Sequence, residues 1–273
     1  MNMLPVANAR MYSATPSVKA EWKLLLGWVL ERAGLPWEVM DYDAPAPLSV
    51  LWARDDLGLA MMCGLPFAQR AERPTLIAAP VPSPARYAGK PVYFTDIVVR
   101  ADSPHQTLED TFGGVIGYTL VDSMSGGVAL RCHLEGFRTP SRPRLYRKAI
   151  GGFVNARNVI EALAAGVIDA GPLDSYYHDL LKRNDPGFAA QVRLVASTAA
   201  MPIPPLVATA ALAKVDLSRL QAAWLAVSTS HELAPLLERL QLSGFALPDP
   251  ESYAVLADMA RGITTPFENI ECL

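Results

Sequence analysis

The chain has 273 residues, of which 51% are apolar and 19% charged, with a formal net charge of −3. That is a globular composition with enough chain for one large core or two lobes. With no stripe of Lys or Arg and no apolar run long enough to span a bilayer, it excludes nucleic acid and membrane insertion. Cys63, Cys132 and Cys272 lie far apart, with no metal spacing and no disulfide framework, and are read as small buried or chain-end residues, a Cys63–Cys132 bridge being the lesser alternative. The start, MNMLPVANARMYSA, shows no basic segment followed by a long apolar one. The expectation is a cytoplasmic chain as written, or a periplasmic one if a leader has been removed.

Strands and helices alternate along the sequence. Residues 5–12 are predicted as a first strand ending at Tyr12, and 17–33 as an amphipathic helix stopped by Gly34. A strand over 37–42 and a short helix over 48–53 follow. The next strand, 57–63, closes at Cys63-Gly64-Leu65-Pro66, and 75–79 is extended. A proline-rich connection (Pro80, Pro82, Pro84) leads to a long strand over 92–99, YFTDIVV at its heart.

The most informative stretch is VIGYTLVDSMSGGVAL, from Val115 to Leu130. Val115, Ile116, Tyr118 and Leu120 read as a buried strand, and a helical pattern begins at Val128. Between them stand Ser123, Ser125, Gly126 and Gly127. The first N–H groups of a helix lack internal partners, so this turn can gather amides and hydroxyls around an anion. A plain serine cap would use the same residues.

Beyond it come a basic, proline-marked loop (138–147), a helix over 156–165 and a strand over 168–173. A helix follows from Asp174 to Leu181, then strands over 192–197 and 206–209 around Pro202, Pro204 and Pro205. The rest is expected to be mostly helical, at 217–228, 231–241 and 251–261. The alternation predicts α/β architecture with mainly parallel sheets. The two proline clusters suggest a chain that leaves one lobe and returns to it: 1–88 as the first part of lobe 1, 89–196 as an inserted lobe 2, and 197–273 as the return. Two crossings of that kind form a hinge, with a small molecule held in the cleft between lobes.

Four stretches in order carry a family resemblance: Ala9-Arg-Met-Tyr12; Met62-Cys-Gly-Leu-Pro66; Tyr93 to Ser103 with Thr107-Leu-Glu-Asp110 and then Asp122-Ser-Met-Ser-Gly126; and Ile160 to Gly166 with Ile168-Asp-Ala-Gly-Pro-Leu-Asp174. Together they resemble the substrate-binding proteins of phosphonate/phosphite-type ABC transporters. The resemblance implies the type II periplasmic-binding-protein fold, two α/β lobes joined by two hinge crossings. It implies a monomeric solute-binding protein with no cofactor or metal, which clamps a small anionic or zwitterionic, phosphonate-like ligand and has an ABC transporter permease as partner.

By this resemblance Ser123, Met124, Ser125 and Gly126 grip the anionic head, with amides near Gly126 and Gly127 pointing at it. Asp174 and Asn155 hold a second polar group. Gly64, Thr95, Tyr12 and Tyr93 complete the ligand-binding set, the two tyrosines as apolar walls with a hydroxyl. Asp174 and Asn155 also stand where helix caps are needed, so cap and ligand contact compete for one side chain.

The sequence departs from the family at several places. Gly151-Gly-Phe-Val-Asn-Ala-Arg157 replaces a stretch that often carries His or Glu. Thr119 and Val121 stand where Asn or Pro is common. Asp122 beside the turn would repel a dianion unless turned away, with Arg157 as a compensating cation. No Gly-x-Ser-x-Gly elbow, P-loop, dinucleotide motif or metal-type His spacing occurs among the four histidines, His105, His133, His178 and His231. The same fold hosts cytosolic enzymes resembling chorismate dehydratases or thiamine-pyrimidine synthases, and an enzyme or a cytosolic ligand sensor is the alternative reading.

Overall fold

A computed structural model describes residues 4–43, 46–209, 211–263, 265, 267 and 270–272. The chain divides into two compact units: unit 1 is Met1–Val92 with Pro202–Ala254, and unit 2 is Tyr93–Met201 with Val255–Leu273. It therefore passes between them three times, where two crossings were expected. Residues 255–273, assigned by the sequence reading to the return into lobe 1, group with unit 2.

Unit 1 is built on a six-stranded sheet. Its order is Leu242–Ala246, Thr75–Pro82, Leu206–Ala208, Leu57–Met61, Val6–Asn8, Glu38–Val39. Val6–Asn8 runs parallel to both of its neighbours. Leu206–Ala208 is antiparallel to both of its own, so the sheet is mixed rather than mainly parallel.

The helix Pro16–Ala33 starts at Thr15, whose hydroxyl accepts the Val18 amide, and ends at Gly34 with φ +67°. Its buried face is Val18, Trp22, Leu25, Leu26 and Val29. Trp22 and Trp224 both pack on Phe245. That places the Lys214–Ala226 helix and the Leu242–Ala246 strand in the same core. The strand falls in the gap between the two helices expected at 231–241 and 251–261, where no element was assigned.

Pro80 and Pro82 are strand residues, not a connection. The Leu206–Ala208 strand pairs with this one only as far as Ala78, and the other flank pairs through Pro82. Each proline thus sits where one flank has no ladder to supply, the position in which a missing N–H is tolerated. The expected first strand is also shorter. Asn8 Oδ1 accepts the Arg10 amide and turns the chain, so Tyr12 ends a 3₁₀ turn, Arg10–Tyr12. Gly64 opens a helix, Gly64–Gln69, that the sequence reading lacked.

In unit 2, Thr95–Arg100 lies between Val192–Ser197 and Gly171–Asp174, antiparallel to both. Val115–Gly117 and Lys148–Gly151 pair in parallel, and Ile270–Cys272 adds to the latter. A parallel bridge between Ile116 and Ala170 joins the two sheets. The core holds Ile97, Val99, Ile116, Tyr118, Leu130 and Tyr146, with Phe267 stacked on Tyr118 at 4.7 Å. Leu120, counted among the buried strand residues, is 47% exposed because the strand ends at Gly117. Cys63 and Cys132 are thiols, and the side chain of Cys272 lies outside the described residues.

Candidate functional site

Three strands of unit 2 end at one edge, and each is followed by a helix start capped by a polar side chain. Val115–Gly117 leads to Ser123, whose hydroxyl oxygen accepts the Gly126 amide at 3.2 Å. Lys148–Gly151 leads to Asn155, which accepts the Asn158 amide at 3.0 Å. Gly171–Asp174 ends on Asp174, whose Oδ1 accepts the amides of Tyr176 and Tyr177 at 3.0 and 3.1 Å. The strands are parallel, so their carboxyl ends and the helix starts after them share one edge of the sheet, where ligands bind in open α/β sheets.

The Thr95–Arg100 strand runs the other way, which brings its first residue to the same edge. Thr95 is the register partner of Asp174. The Thr95 hydroxyl donates to the Ser125 carbonyl at 2.8 Å, and the Thr95 amide donates to Thr198 Oγ1 at 3.0 Å. Phe94 and Ser175 exchange two bonds: the Phe94 amide donates to Ser175 Oγ, and the Ser175 amide to the Phe94 carbonyl. The Thr119 amide donates to the Gly126 carbonyl, and the Gly152 amide to the Thr119 carbonyl. Ser123, Ser125, Gly126, Thr95 and Asp174 are therefore linked by hydrogen bonds and strand register, and Asn155 follows three residues after Gly152.

One expectation is corrected by the turn itself. The Gly126 amide is spent on Ser123 Oγ, and the amides of Gly127 and Val128 both donate to the Ser123 carbonyl at 3.0 Å. These amides close a widened first turn, Met124–Val128, and do not point outward. The amides of Met124 and Ser125 and the hydroxyls of Ser123 and Ser125 are left, donating to no acceptor among the described residues. The Met124 side chain is buried.

Gly126 is demanded by its neighbour. A Cβ there would lie 1.7 Å from Thr119 Oγ1. That hydroxyl is buried and has no partner among the described residues.

Tyr93 is 1% exposed and so is Tyr12, which belongs to unit 1 with Gly64; both rings are core rather than open walls. Arg157, the suggested compensating cation, is held elsewhere: its guanidinium reaches Asp185 Oδ2 at 3.1 Å and stacks over Phe188 at 3.9 Å. Asp122 is exposed. The Tyr177 phenol is pushed up to about 12 by burial, with Arg157 pulling it down and the Asp174 carboxylate adding a smaller push upward. Among the described residues no group of His, Cys, Asp and Glu is arranged to hold a metal ion.

Sequence reasoning missed a buried polar cluster behind this edge. Asp96 Oδ2 lies 2.9 Å from His178 Nδ1, and the Ser197 hydroxyl donates to Asp96 Oδ1 at 2.9 Å. Asp96 is fully buried and His178 nearly so. The signal was present: an aspartate inside the apolar run YFTDIVV needs a partner, because an unpaired buried carboxylate is costly.

Comparison with known proteins fits this architecture. The family model for the periplasmic substrate-binding protein of phosphonate ABC transporters matches residues 12–253. The chain belongs to that family. Members are substrate-binding components of transport rather than enzymes, and the transport reading stands over the enzymatic alternative.

Similar solved structures share the two-lobed type II fold. A binding-protein component of an ABC phosphonate transporter from Pseudomonas aeruginosa is 18% identical. The alignment covers 94% of this chain and 86% of that one, with a TM-score of 0.75. PhnD1 from Prochlorococcus marinus, in complex with methylphosphonate, is 14% identical over 94% and 97% of the two chains, TM-score 0.77. A Xanthomonas citri protein bound to ATP is 21% identical over 95% and 96%, TM-score 0.63. No curated protein matches the sequence.

Proposed function

We propose that this family member binds a small phosphonate-like anion at the capped edge of unit 2 and delivers it to an ABC transporter permease. The observation that carries the reading is the Ser123–Gly126 turn. Its two hydroxyls and the Met124 and Ser125 amides form a compact set of donors with no acceptor of their own. Such a set matches the several acceptor oxygens of a phosphonate, and charge-assisted bonds to an oxyanion are stronger than neutral ones. Asn155 and Asp174, at the starts of the helices after the neighbouring strands, would read a second polar group, such as an amine. The protein would act as a monomer in the periplasm.

The test is a thermal-shift screen with methylphosphonate, other phosphonates, phosphate, amino acids, dicarboxylates, pyrimidines and ATP, with native mass spectrometry of whatever binds. Ligand at a hundredfold excess over its Kd stabilises the folded state by about 2.7 kcal/mol, a shift readily seen. A phosphonate that raises the melting temperature and is recovered unchanged is the expected result. Stabilisation by amino acids, pyrimidines or ATP with none by phosphonates overturns the ligand class. A changed mass overturns the transport role.

A further inference from the structure

From Arg138 to Lys148 the chain carries four arginines and a lysine with no acidic residue, although its net charge is −3. Arg142, Arg144 and Arg147 are exposed. This loop is not loose chain. Leu145 and Tyr146 are buried in the unit 2 core, and the Tyr146 hydroxyl bonds Thr111 Oγ1 at 2.8 Å. The Gly113 amide donates to the Leu145 carbonyl and the Arg147 amide to the Gly114 carbonyl.

The guanidinium groups are oriented by neutral acceptors. Arg142 donates to the Phe137 carbonyl and lies over the Phe112 ring at 5.1 Å. Arg144 donates to the carbonyls of Tyr146 and Arg147 at 3.0 and 2.7 Å. Among the described residues no carboxylate forms an ion pair with Arg142, Arg144 or Arg147; Glu135 is taken by Arg138. A carbonyl fixes a guanidinium without cancelling its charge. Pro143 stands at a bend between Arg142 and Arg144, just after the Thr139–Arg142 bridge.

We infer that this loop is a docking surface for an acidic polypeptide segment of a protein partner. Arginine rather than lysine, held in a fixed frame, suits the two-pronged recognition of carboxylates. A lipid surface needs only diffuse positive charge and no frame. Spaced carboxylates on an extended segment would meet Arg142 and Arg144 in turn, with Arg147 beside them. The inference stands apart from the ligand site and does not depend on which solute is bound.

The experiment uses the full chain and a fluorescent alternating Glu-Gly peptide, read by anisotropy across a salt series. A Gln-Gly peptide and phosphatidylglycerol vesicles serve as comparisons. The expected result is salt-sensitive binding of the acidic peptide alone, weakened roughly tenfold in R142Q/R144Q/R147Q, as three lost ion pairs of modest strength would give. Arg147 makes no side-chain bond among the described residues, so R147Q weakens binding with the melting temperature unchanged. The triple Arg→Lys variant keeps the charge and loses the frame, and it should also bind more weakly. No binding by the wild type, equal binding by the Gln or the Lys variant, or tighter binding to vesicles than to peptide overturns the inference.

Discussion

The Thr95 hydroxyl donates to the carbonyl of Ser125 at 2.8 Å, tying the first residue of a central strand to the middle of the serine turn. Thr95 is fully buried, and its register partner is Asp174. One side chain therefore fixes the spacing between the proposed anion grip and the capped start of the next helix. Thr95→Val removes the bond while keeping the shape. It should lower stability by about 1 kcal/mol, because it leaves the Ser125 carbonyl short of a donor. It should weaken phosphonate affinity further than that loss explains. Calorimetric titration beside thermal unfolding separates the two. An unchanged affinity would show that the turn holds its place without the strand.

Ser123 and Ser125 differ in what they do for the fold. Ser123 caps the turn through the Gly126 amide. Ser123→Ala should therefore cost about 1 kcal/mol of stability as well as affinity. No cap depends on the Ser125 hydroxyl, so Ser125→Ala should leave the melting temperature alone and weaken phosphonate binding by about 1–3 kcal/mol. Wild-type affinity in the double variant would remove the turn from the site.

Gly126 and Thr119 form a steric pair. With Thr119 Oγ1 1.7 Å from where a Cβ would stand, Gly126→Ala forces the turn or the threonine to move. A loss of about 1–3 kcal/mol is expected, the usual cost of overpacking. Thr119→Ala in the same chain removes the nearest atom but leaves Thr119 Cβ at 2.8 Å, so rescue should be partial. Chemical denaturation of the two single variants and the double gives the coupling directly. Additive losses would show that the two residues do not share this space.

Much of this was legible in the sequence, and the reasons differ by element. The helix over Pro16–Ala33 declared itself because a periodic apolar face ends at Gly34, two signals that agree. The caps at Ser123, Asn155 and Asp174 were visible as residue types ahead of helical patterns. That they share one edge was not, since it depends on parallel pairing across long separations. The strand Leu242–Ala246 was hidden by helix formers on both sides; long-range antiparallel pairing with Thr75–Pro82 makes it a strand, with Phe245 packed against Trp22 and Trp224. The uncommitted donors of the serine turn were misassigned because a widened first turn spends the glycine amides internally. Residue type does not announce that geometry.

Asp96 should be the most sensitive polar position of unit 2. Its buried carboxylate holds the buried His178 of one helix and the exposed Ser197 at the end of a neighbouring strand. Asp96→Ala leaves the buried His178 without this partner, and a loss of about 3 kcal/mol or more is expected. Ser197→Ala, which removes one neutral donor, should cost about 1 kcal/mol. Urea unfolding measures both, and equal losses would mean that the His178 contact contributes nothing.

Alkaline pH provides a check on the burial of the Tyr177 phenol. The Tyr177 phenol is raised from its ordinary 10 to about 12, chiefly by burial. Burial also raises the phenol of Tyr253 in unit 1, whose hydroxyl donates to the Ile203 carbonyl. A raised phenol keeps its proton in the folded chain after the unfolded chain has lost it. Its stabilising contribution is complete below pH 10 and is lost as the pH rises through the folded value. Stability should therefore fall between pH 10 and 12, and Tyr177→Phe should flatten part of that fall. Absorbance titration of tyrosinate should lose a late component in the same variant. If Tyr177→Phe removes an ordinary component instead, the ring is open to water.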